Sequence, residues 1–536
     1  MEAINYWGDI MQIRHLSITD NKCLFDFNIY FKTGNNASTT ILIGENGTGK
    51  STMIESVLEI FMSFDSPSIE KEINYDYTIE FEYAQKNINI VKETHNYQFV
   101  VDGVIFKGSY NRVRRWLKKQ RLFPKRIITF YSGANNKLAP AISKMNKEYR
   151  KQYRKVMEKF FVVMNDDTTE ELPATPVKKF NFCDEHLVPI YLCAILTGHD
   201  SYEKRYLTQE CHFAAIDRIS MVINLDKVEQ LYGFERFKDE YPSNLMFVAD
   251  YIEHNLTDVL RHGWIFAAKG KGYFELTGIE KCGLDSVVIL EFFEVLYDLF
   301  DAKFEIYVKV GNNTVKASDM SEGQRQLIKV LGMLGICKRE DCLILMDEPD
   351  AHMNPKWKYG LKQIMDKCLV EATNAQNIIA THDPLVINGV DKEFIRIFTY
   401  NKSIVQENGF YTTKVIEPTE DTEGMGIDGL LQSEYYGLAT SYDKKATDKF
   451  LRRQELYEKL IHKEIDDGEK RELRLLTKEL SSMPLSQTSI DFLYDDFIRV
   501  FKNTELYKKE YLSYDQLKER RRQIEEIIRA LYEEQV

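Results

Sequence analysis

A glycine-rich loop near the amino terminus carries residue types that can bind phosphate. It follows the apolar run at 40–43 and precedes a helix-like stretch, the strand-loop-helix context that a phosphate-binding loop needs. Its residues are Gly44, Glu45, Asn46, Gly47, Thr48, Gly49, Lys50, Ser51 and Thr52. Glycines let backbone N–H groups approach phosphate oxygens, and the helix N-terminus adds its dipole. We therefore predict a nucleoside triphosphate site in which Lys50 contacts the β- and γ-phosphates and Ser51 holds Mg²⁺.

A second group of candidate residues lies nearly three hundred positions downstream, at the ends of two predicted strands. The apolar run at 343–346 ends in two adjacent carboxylates, Asp347 and Glu348. We predict that Asp347 is a metal residue, reaching Mg²⁺ through its water shell. Glu348 is the predicted catalytic base that polarises an attacking water. His382 follows the next apolar run, at 377–380, and is predicted to lie near the γ-phosphate.

A third motif, Ser321-Glu322-Gly323-Gln324, lies just before the strand that ends at Asp347 and opens a helix-like stretch. The Ser321 side chain, the Gly323 amide and the helix dipole can together bind a phosphate. We therefore include Ser321, Gly323 and Gln324 among the predicted nucleotide-binding residues.

Composition limits the class of protein. A chain of 536 residues is expected to form two or three structural units, and 44% hydrophobic residues suffice for their cores. We find neither a long uncharged apolar run nor a secretory leader, so we expect a cytoplasmic protein without membrane contact. The eight cysteines contain no C-x-x-C pair, which argues against a disulfide framework or a zinc ribbon.

One segment is strongly basic although the net charge is -12. Residues 103–147 contain no acidic side chain, and Trp116 and Phe123 are interleaved with the basic residues. This combination suits phosphate neutralisation with base stacking. The predicted nucleic-acid contacts are Arg112, Arg114, Arg115, Lys118, Lys119 and Arg121. An amphipathic helix whose basic face pairs with acids elsewhere in the chain is the open alternative.

Hydrophobic patterning predicts an α/β fold. Alternating strand-like runs dominate the first segment, and helices alternate with buried strands after Ser318, which implies a parallel sheet. We predict an N-terminal ATPase lobe at 1–138, a mainly helical insertion at 139–310, a C-terminal ATPase lobe at 311–425 and a helical partner-docking region at 426–536.

The order of these motifs resembles that of ABC-type P-loop ATPase heads of the SMC/RecF/OLD group, within the broad AAA family. The resemblance covers about half the chain. It implies ATP and Mg²⁺ as cofactors, and it makes the motif at 321–324 a signature that faces the phosphate loop of a second subunit. A homodimer or a higher even oligomer follows from that arrangement. Glu322 stands where the common signature has its first glycine, and residues 131–136 contain no conventional glutamine loop.

The string at 347–355 and the segment 428–438 are similar to those of PtuA ATPases from Septu and retron anti-phage systems. That narrower resemblance implies an antiviral defence role with a PtuB-like HNH nuclease as partner. In retrons it also implies a reverse transcriptase with its RNA–DNA hybrid product. The alternative is a RecF- or SMC-like DNA-repair ATPase that itself binds DNA in an ATP-dependent manner.

Overall fold

A computed structural model was analysed for the full chain. It describes residues 11–33, 38–94, 96–120, 122–132, 138–166, 178–198, 200–232, 243–256, 264–282, 284–337, 341–369, 375–405, 411–438, 443–461 and 465–481, together with 519, 521–522 and 524. Arg121 and the loop at 133–136 lie outside the described residues.

Strands occur throughout the first 416 residues. They are β1 Gln12–Asn21, β2 Leu24–Tyr30, β3 Ser38–Gly44, β4 Tyr77–Tyr83, β5 Lys86–Glu93, β6 Asn96–Val101, β7 Val104–Gly108, β8 Arg126–Tyr131, β9 Phe180–Phe182, β10 Phe213–Asn224, β11 Trp264–Ala268, β12 Lys271–Leu276, β13 Lys303–Val310, β14 Asn313–Lys316, β15 Cys342–Asp347, β16 Ala375–Ala380, β17 Ile395–Val405 and β18 Tyr411–Ile416.

Helices separate many of these strands and continue beyond them. They are α1 Lys50–Ser63, α2 Pro67–Glu70, α3 Tyr110–Gln120, α4 Leu138–Met145, α5 Lys147–Asp166, α6 Val188–Thr197, α7 Tyr202–Cys211, α8 Leu225–Tyr232, α9 Ser243–Leu256, α10 Ser286–Phe300, α11 Glu322–Ile336, α12 Pro355–Leu369, α13 Pro384–Ile387, α14 Gly426–Gln432, α15 Lys444–Ile461 and α16 Asp467–Ser481.

A seven-stranded sheet in the order β18-β17-β3-β16-β15-β8-β9 forms the centre of the ATPase unit. All neighbouring strands in it are parallel except β17 and β18, which confirms the predicted α/β class. β15 and β16 are buried along their whole length, as expected for a parallel sheet covered on both faces. Alternate residues of β15 therefore pack in two different cores. Ile344 packs in the first core and Leu345 in the second.

The second core lies between this sheet and a six-stranded antiparallel sheet in the order β2-β1-β4-β5-β6-β7. β4 shows the expected alternation, because Tyr77, Ile79, Phe81 and Tyr83 are buried while the residues between them are half-buried. Helix α1 packs in this core through Val57 and Phe61. The helix that follows the phosphate-binding loop is thus held by both sheets.

The region predicted as a mainly helical insertion contains helices α4 to α10 in the described part of the chain, and it also supplies most of a third sheet. Five antiparallel strands pair there in the order β11-β12-β10-β13-β14. In β10, buried Ile219, Met221 and Ile223 alternate with half-buried residues, so one face packs on the first core. That strand alternation was not used in the sequence-based assignment. The limits 139–310 themselves remain a prediction.

The chain divides into two compact units, Met1–Gly437 and Leu438–Val536. The division falls later than the predicted start at 426, because Leu430 and Tyr435 are buried in the core of the first unit. Within the second unit, α15 and α16 form an antiparallel hairpin around Leu456, Leu473 and Leu480. Among the described residues, no helix is long and apolar enough to cross a bilayer.

Candidate functional site

The glycine-rich loop connects β3 to α1, as predicted, and its backbone conformation explains its glycines. Gly47 and Gly49 have φ angles of 83° and 93°, in the left-handed region that favours glycine. A Cβ atom on Gly44 would lie 2.0 Å from the Phe398 carbonyl oxygen on β17. A side chain at Gly44 would therefore force the loop away from the sheet.

Three hydroxyl groups hold the loop in shape by donating to its carbonyl oxygens. Thr48 Oγ1 donates to Glu45 O over 2.7 Å within the loop. Tyr400 Oη on β17 donates to Asn46 O over 2.9 Å, and Thr413 Oγ1 on β18 donates to Thr48 O over 2.8 Å. Sequence reasoning missed Tyr400 and Thr413, because both lie more than 350 residues from the loop and belong to no motif.

Lys50 is buried beneath this loop, with 7% of its surface exposed. Its ammonium donates to Gly44 O over 2.7 Å and to Glu45 O over 3.0 Å. Burial lowers the pKa of Lys50, while the nearby carboxylates of Asp347, Glu348 and Glu45 oppose that effect. The structure thus places the predicted phosphate-binding amine next to the predicted metal and base residues.

The parallel register explains how these distant residues meet. Asp347 on β15 lies beside Ala380 on β16, which in turn lies beside Leu42 on β3. Just beyond the strand ends, Glu348 N donates to Ala380 O over 2.8 Å and Thr381 N donates to Leu42 O over 2.9 Å. These bonds bring the loop after β3, the Asp347-Glu348 pair and His382 to the same edge of the sheet.

Asp347 and Glu348 are adjacent but differ in environment. Asp347 is 6% exposed and lies beside the Ser51 side chain. Burial raises the pKa of Asp347 to about 6; the Glu348 charge adds to this rise, whereas the Ser51 side chain and Lys50 oppose it. The Glu348 side chain is 38% exposed, and its Oε1 lies 3.0 Å from His382 Nδ1. The buried carboxylate thus faces the Ser51 hydroxyl, and the exposed one pairs with the histidine.

Glu348 also has an unusual backbone conformation. Its φ angle is 51°, which non-glycine residues rarely adopt. Such conformations persist where surrounding contacts hold them and occur often at functional sites. The bond from Glu348 N to Ala380 O supplies one such contact, and this strained position is consistent with a side chain that must point in a defined direction.

Ser321, Glu322, Gly323 and Gln324, here called the signature turn, begin helix α11 as predicted. Ser321 is the N-cap and forms a capping box with Gln324: Gln324 N donates to Ser321 Oγ over 3.3 Å, and Ser321 N donates to Gln324 Oε1 over 3.0 Å. In the part of the chain described, the Ser321 side chain makes its hydrogen bonds within this turn. Ser321 is exposed, and the structure does not join it to the phosphate-binding loop by a hydrogen bond.

The basic residues on α3 are not equivalent. Arg114 donates to the Asp65 backbone carbonyl over 2.6 Å, and Lys118 pairs with the Asp65 carboxylate at 2.8 Å. Burial would raise the pKa of Asp65, but the charges of Lys179 and Lys118 outweigh it and lower the pKa. Arg114 and Lys118 therefore fit the structural alternative, in which basic side chains pair with an acid elsewhere.

The aromatic part of the nucleic-acid prediction is wrong for Phe123, which is buried, and stays a prediction for Trp116, which is half-buried. The Trp116 ring packs against Phe99 and Phe106 at 5.2 and 5.5 Å between centroids. Phe123 is 8% exposed and packs against Phe61 and Phe64. Phe123 is therefore not available to stack on bases, and Trp116 packs part of its ring on the six-stranded sheet. Arg112, Arg115 and Lys119 remain exposed on α3.

The strand order, the glycine-rich loop and the acidic strand end define a P-loop ATPase. A family model described as "AAA domain, putative AbiEii toxin, Type IV TA system" matches residues 39–388, which is more than half of the 536-residue chain. The chain belongs to this family and is an ATPase.

Curated relatives include a Septu protein and a retron ATPase. The Septu protein PtuA of Bacillus mycoides (strain KBAB4) is 26% identical over 152 residues, which cover 27% of this chain and 20% of that protein. The Retron Vc95 probable ATPase of Vibrio cholerae serotype O1 biovar El Tor is 32% identical over 82 residues, covering 15% of this chain and 14% of that protein. The chain is thus related to PtuA, and the matches span one fifth or less of each relative.

Among solved structures, the Smc head domain of Pyrococcus furiosus with an extended coiled coil, bound to the C-terminal domain of ScpA, covers 76% of this chain and 97% of its own. Its sequence identity is 13% and its TM-score 0.32.

We predict that Tyr400→Phe weakens ATP binding without unfolding the protein, because it removes the donor to Asn46 O. A neutral hydrogen bond contributes about 0.5–1.5 kcal/mol, so the dissociation constant should rise roughly two- to tenfold. Titration with a fluorescent ATP analogue measures the change. Tyr411→Phe is the matched control, since Tyr411 is an exposed tyrosine on the adjacent strand. Equal affinities for both variants would contradict a role for Tyr400 in shaping the loop.

Proposed function

We propose that this ATPase works as a dimer in which each ATP lies between the phosphate-binding loop of one subunit and the signature turn of the other. One observation carries the proposal: Lys50, Asp347, Glu348 and His382 meet at a single sheet edge, whereas the exposed Ser321 side chain, among the described residues, bonds within its own turn. A second copy would bring an exposed helix N-terminus, with its partial positive charge, to the phosphates.

The residues around Ser51 fit Mg²⁺. Ser51 supplies a hydroxyl and Asp347 a carboxylate, and these two side chains lie beside each other. Mg²⁺ is held in phosphate-transferring enzymes by few protein oxygens together with substrate phosphates. A cation there would also stabilise the ionised form of Asp347, which burial disfavours. When bound, Mg²⁺ neutralises charge on the phosphates.

We assign the chemical step to the exposed pair of the site, Glu348 and His382. Glu348 accepts a proton from the attacking water, because its carboxylate reaches solvent while Asp347 is buried. His382 orients that carboxylate by donating from Nδ1 to Oε1 over 3.0 Å. Lys50 contacts the β- and γ-phosphates in exchange for the carbonyl oxygens of Gly44 and Glu45. The loop residues 44–52 surround the phosphates through their backbone N–H groups.

We expect a mixture of two inactive variants to recover hydrolysis. Lys50→Ala removes the phosphate contact, and Ser321→Arg places a bulky side chain on the signature turn. In a mixed dimer, one composite site carries both changes and the other carries neither, so about one quarter of wild-type activity per chain should return if pairing is random. Steady-state phosphate release measures the recovery. Activity that stays absent in the mixture would place all catalytic residues in one subunit and reject the shared site.

The dimer itself is tested with Glu348→Gln, which removes the base and keeps the shape. This variant should retain ATP and accumulate as a closed dimer in Mg-ATP, because binding closes the dimer and hydrolysis releases it. Light scattering after size exclusion measures the mass. Lys50→Ala is the control that should stay monomeric under the same conditions. A monomeric Glu348→Gln protein at saturating Mg-ATP would contradict the proposal.

We further propose that the chain belongs to an anti-phage defence complex, where nucleotide state controls a partner HNH nuclease of the PtuB kind. The relation to PtuA and to a retron ATPase supports this role. A retron reverse transcriptase with its RNA–DNA hybrid is the partner in the second setting. Native purification should recover a nuclease, and Lys50→Ala should abolish protection against phage. If Lys50→Ala still co-purifies with the nuclease and still protects against phage, ATP binding would not be required for defence.

A direct nucleic-acid contact is proposed only for the exposed side chains Arg112, Arg115 and Lys119. Reversal of all three to Glu should lower affinity for DNA by tenfold or more, since each phosphate contact contributes through counterion release. The matched control reverses Arg114 and Lys118, which bind Asp65. Fluorescence anisotropy at two salt concentrations measures both sets. Unchanged binding by the first triple variant would remove this surface from the function.

A further inference from the structure

The carboxyl end of helix α7, which belongs to the insertion, contacts both elements that border the signature turn. Glu210 accepts from Lys356 Nζ at 2.9 Å through each oxygen and from the Trp357 indole N–H over 3.1 Å. Lys356 and Trp357 lie in the first turn of α12. The next residue, Cys211, is buried beside the Gln324 side chain of the signature turn. The end of α7 is thus bonded to α12 and also contacts α11.

The chemistry of both contacts is favourable at neutral pH. The hydrogen bonds from Lys356 and Trp357 lower the pKa of Glu210, so its carboxylate is ionised and accepts charge-assisted bonds. Burial raises the pKa of the Cys211 thiol to about 12, with the nearby Gln324 side chain opposing the rise, so the sulfur keeps its proton.

The signature turn packs directly on Trp357, whose indole N–H donates to Glu210. A Cβ atom on Gly323 would lie 2.9 Å from the His352 carbonyl oxygen and 3.6 Å from Cζ3 of Trp357. The Trp357 ring is 7% exposed, so its position is fixed by packing. Because Gly323 has almost no free space on this side, a shift of Trp357 or of the loop at His352 must displace the signature turn.

Helix α11, which begins at the signature turn, is also bonded to the loop that follows the proposed catalytic base. Gln326, one helical turn into α11, donates from Nε2 to Pro349 O over 3.0 Å, and this bond is buried. Pro349 directly follows Glu348. The signature turn, the first turn of α12 and the loop after the catalytic base are therefore connected by short contacts, with Glu210 and Cys211 at one end of the network.

We propose that Glu210 is a positioning residue through which the insertion sets the geometry of the signature turn, and hence the rate of ATP hydrolysis across the dimer. The rate effect rests on the composite site proposed above, whereas the positioning effect is a property of one chain. A partner or nucleic acid that moves α7 would change hydrolysis without touching the phosphate-binding loop. Glu210 and Cys211 are called the α7 latch.

The test compares Glu210→Ala, Glu210→Gln and the control Gln209→Ala, an adjacent exposed side chain. Removing a hydrogen bond to a charged group lowers the free energy of local opening enough to increase the opening equilibrium constant roughly tenfold. Amide hydrogen exchange of the nucleotide-free full chain should therefore rise about tenfold at 321–326 and 352–357 in Glu210→Ala. Exchange at 44–52 should stay unchanged. Glu210→Gln should give a smaller rise, because its amide oxygen still accepts the Trp357 N–H.

Kinetics provide the second measurement on the same variants. Glu210→Ala should lower kcat about tenfold while the dissociation constant for ATP changes less than twofold, since the loop at 44–52 is intact. Gln209→Ala should match wild type in both. If Glu210→Ala does not fold, Glu210→Gln carries the same test with a change of about threefold.

Two outcomes would overturn the latch. Unchanged exchange at 321–326 would show that Glu210 does not position the turn. Faster exchange throughout the chain, with weaker ATP binding, would show only a general structural role. Absence of complementation between Lys50→Ala and Ser321→Arg would reject the composite dimer, and the exchange result would still decide the latch.

Discussion

The alignment of parallel strand ends is the constraint on which the site depends. Backbone bonds from Thr381 to Leu42 and from Glu348 to Ala380 continue the sheet just past β3, β16 and β15. Because β16 lies between the strand of the phosphate-binding loop and the strand of the carboxylates, one slipped register would separate Lys50 from Asp347. Burial on both faces fixes that register, since a shift by one residue would exchange the side chains of two distinct cores.

The sequence predicted those parts of the site whose chemistry is local. A phosphate-binding loop needs glycines because its backbone adopts left-handed angles, as at Gly47 and Gly49, and that requirement is visible in nine consecutive residues. The cap at Ser321 is likewise encoded within four residues. Tyr400 and Thr413 could not be found in this way, because their roles arise only when β17 and β18 pair beside the loop.

The basic segment shows how the same pattern supports two physical outcomes. Helix α3 has a basic face, yet Arg114 and Lys118 turn toward Asp65, which the chain supplies from the end of α1. Trp116 occupies the opposite side of the helix and packs on the six-stranded sheet. Charge and aromatic content alone do not specify whether such residues face a ligand or the core. The five-stranded sheet was not predicted for a similar reason. In β10 the buried residues alternate with half-buried ones, so the apolar alternation in its sequence is weak.

The placement of the insertion gives this arrangement a mechanical consequence. The chain leaves the central sheet after β8 and β9, forms α7 and the five-stranded sheet, and returns through β14 to the signature turn. The turn packs against His352 and Trp357, and Trp357 donates to Glu210 of the insertion. The phosphate-binding loop, in contrast, is held by β17, β18 and α1. The two halves of the proposed composite ATP site thus rest on different supports, so in that proposal events at the insertion would alter hydrolysis while leaving ATP affinity nearly constant.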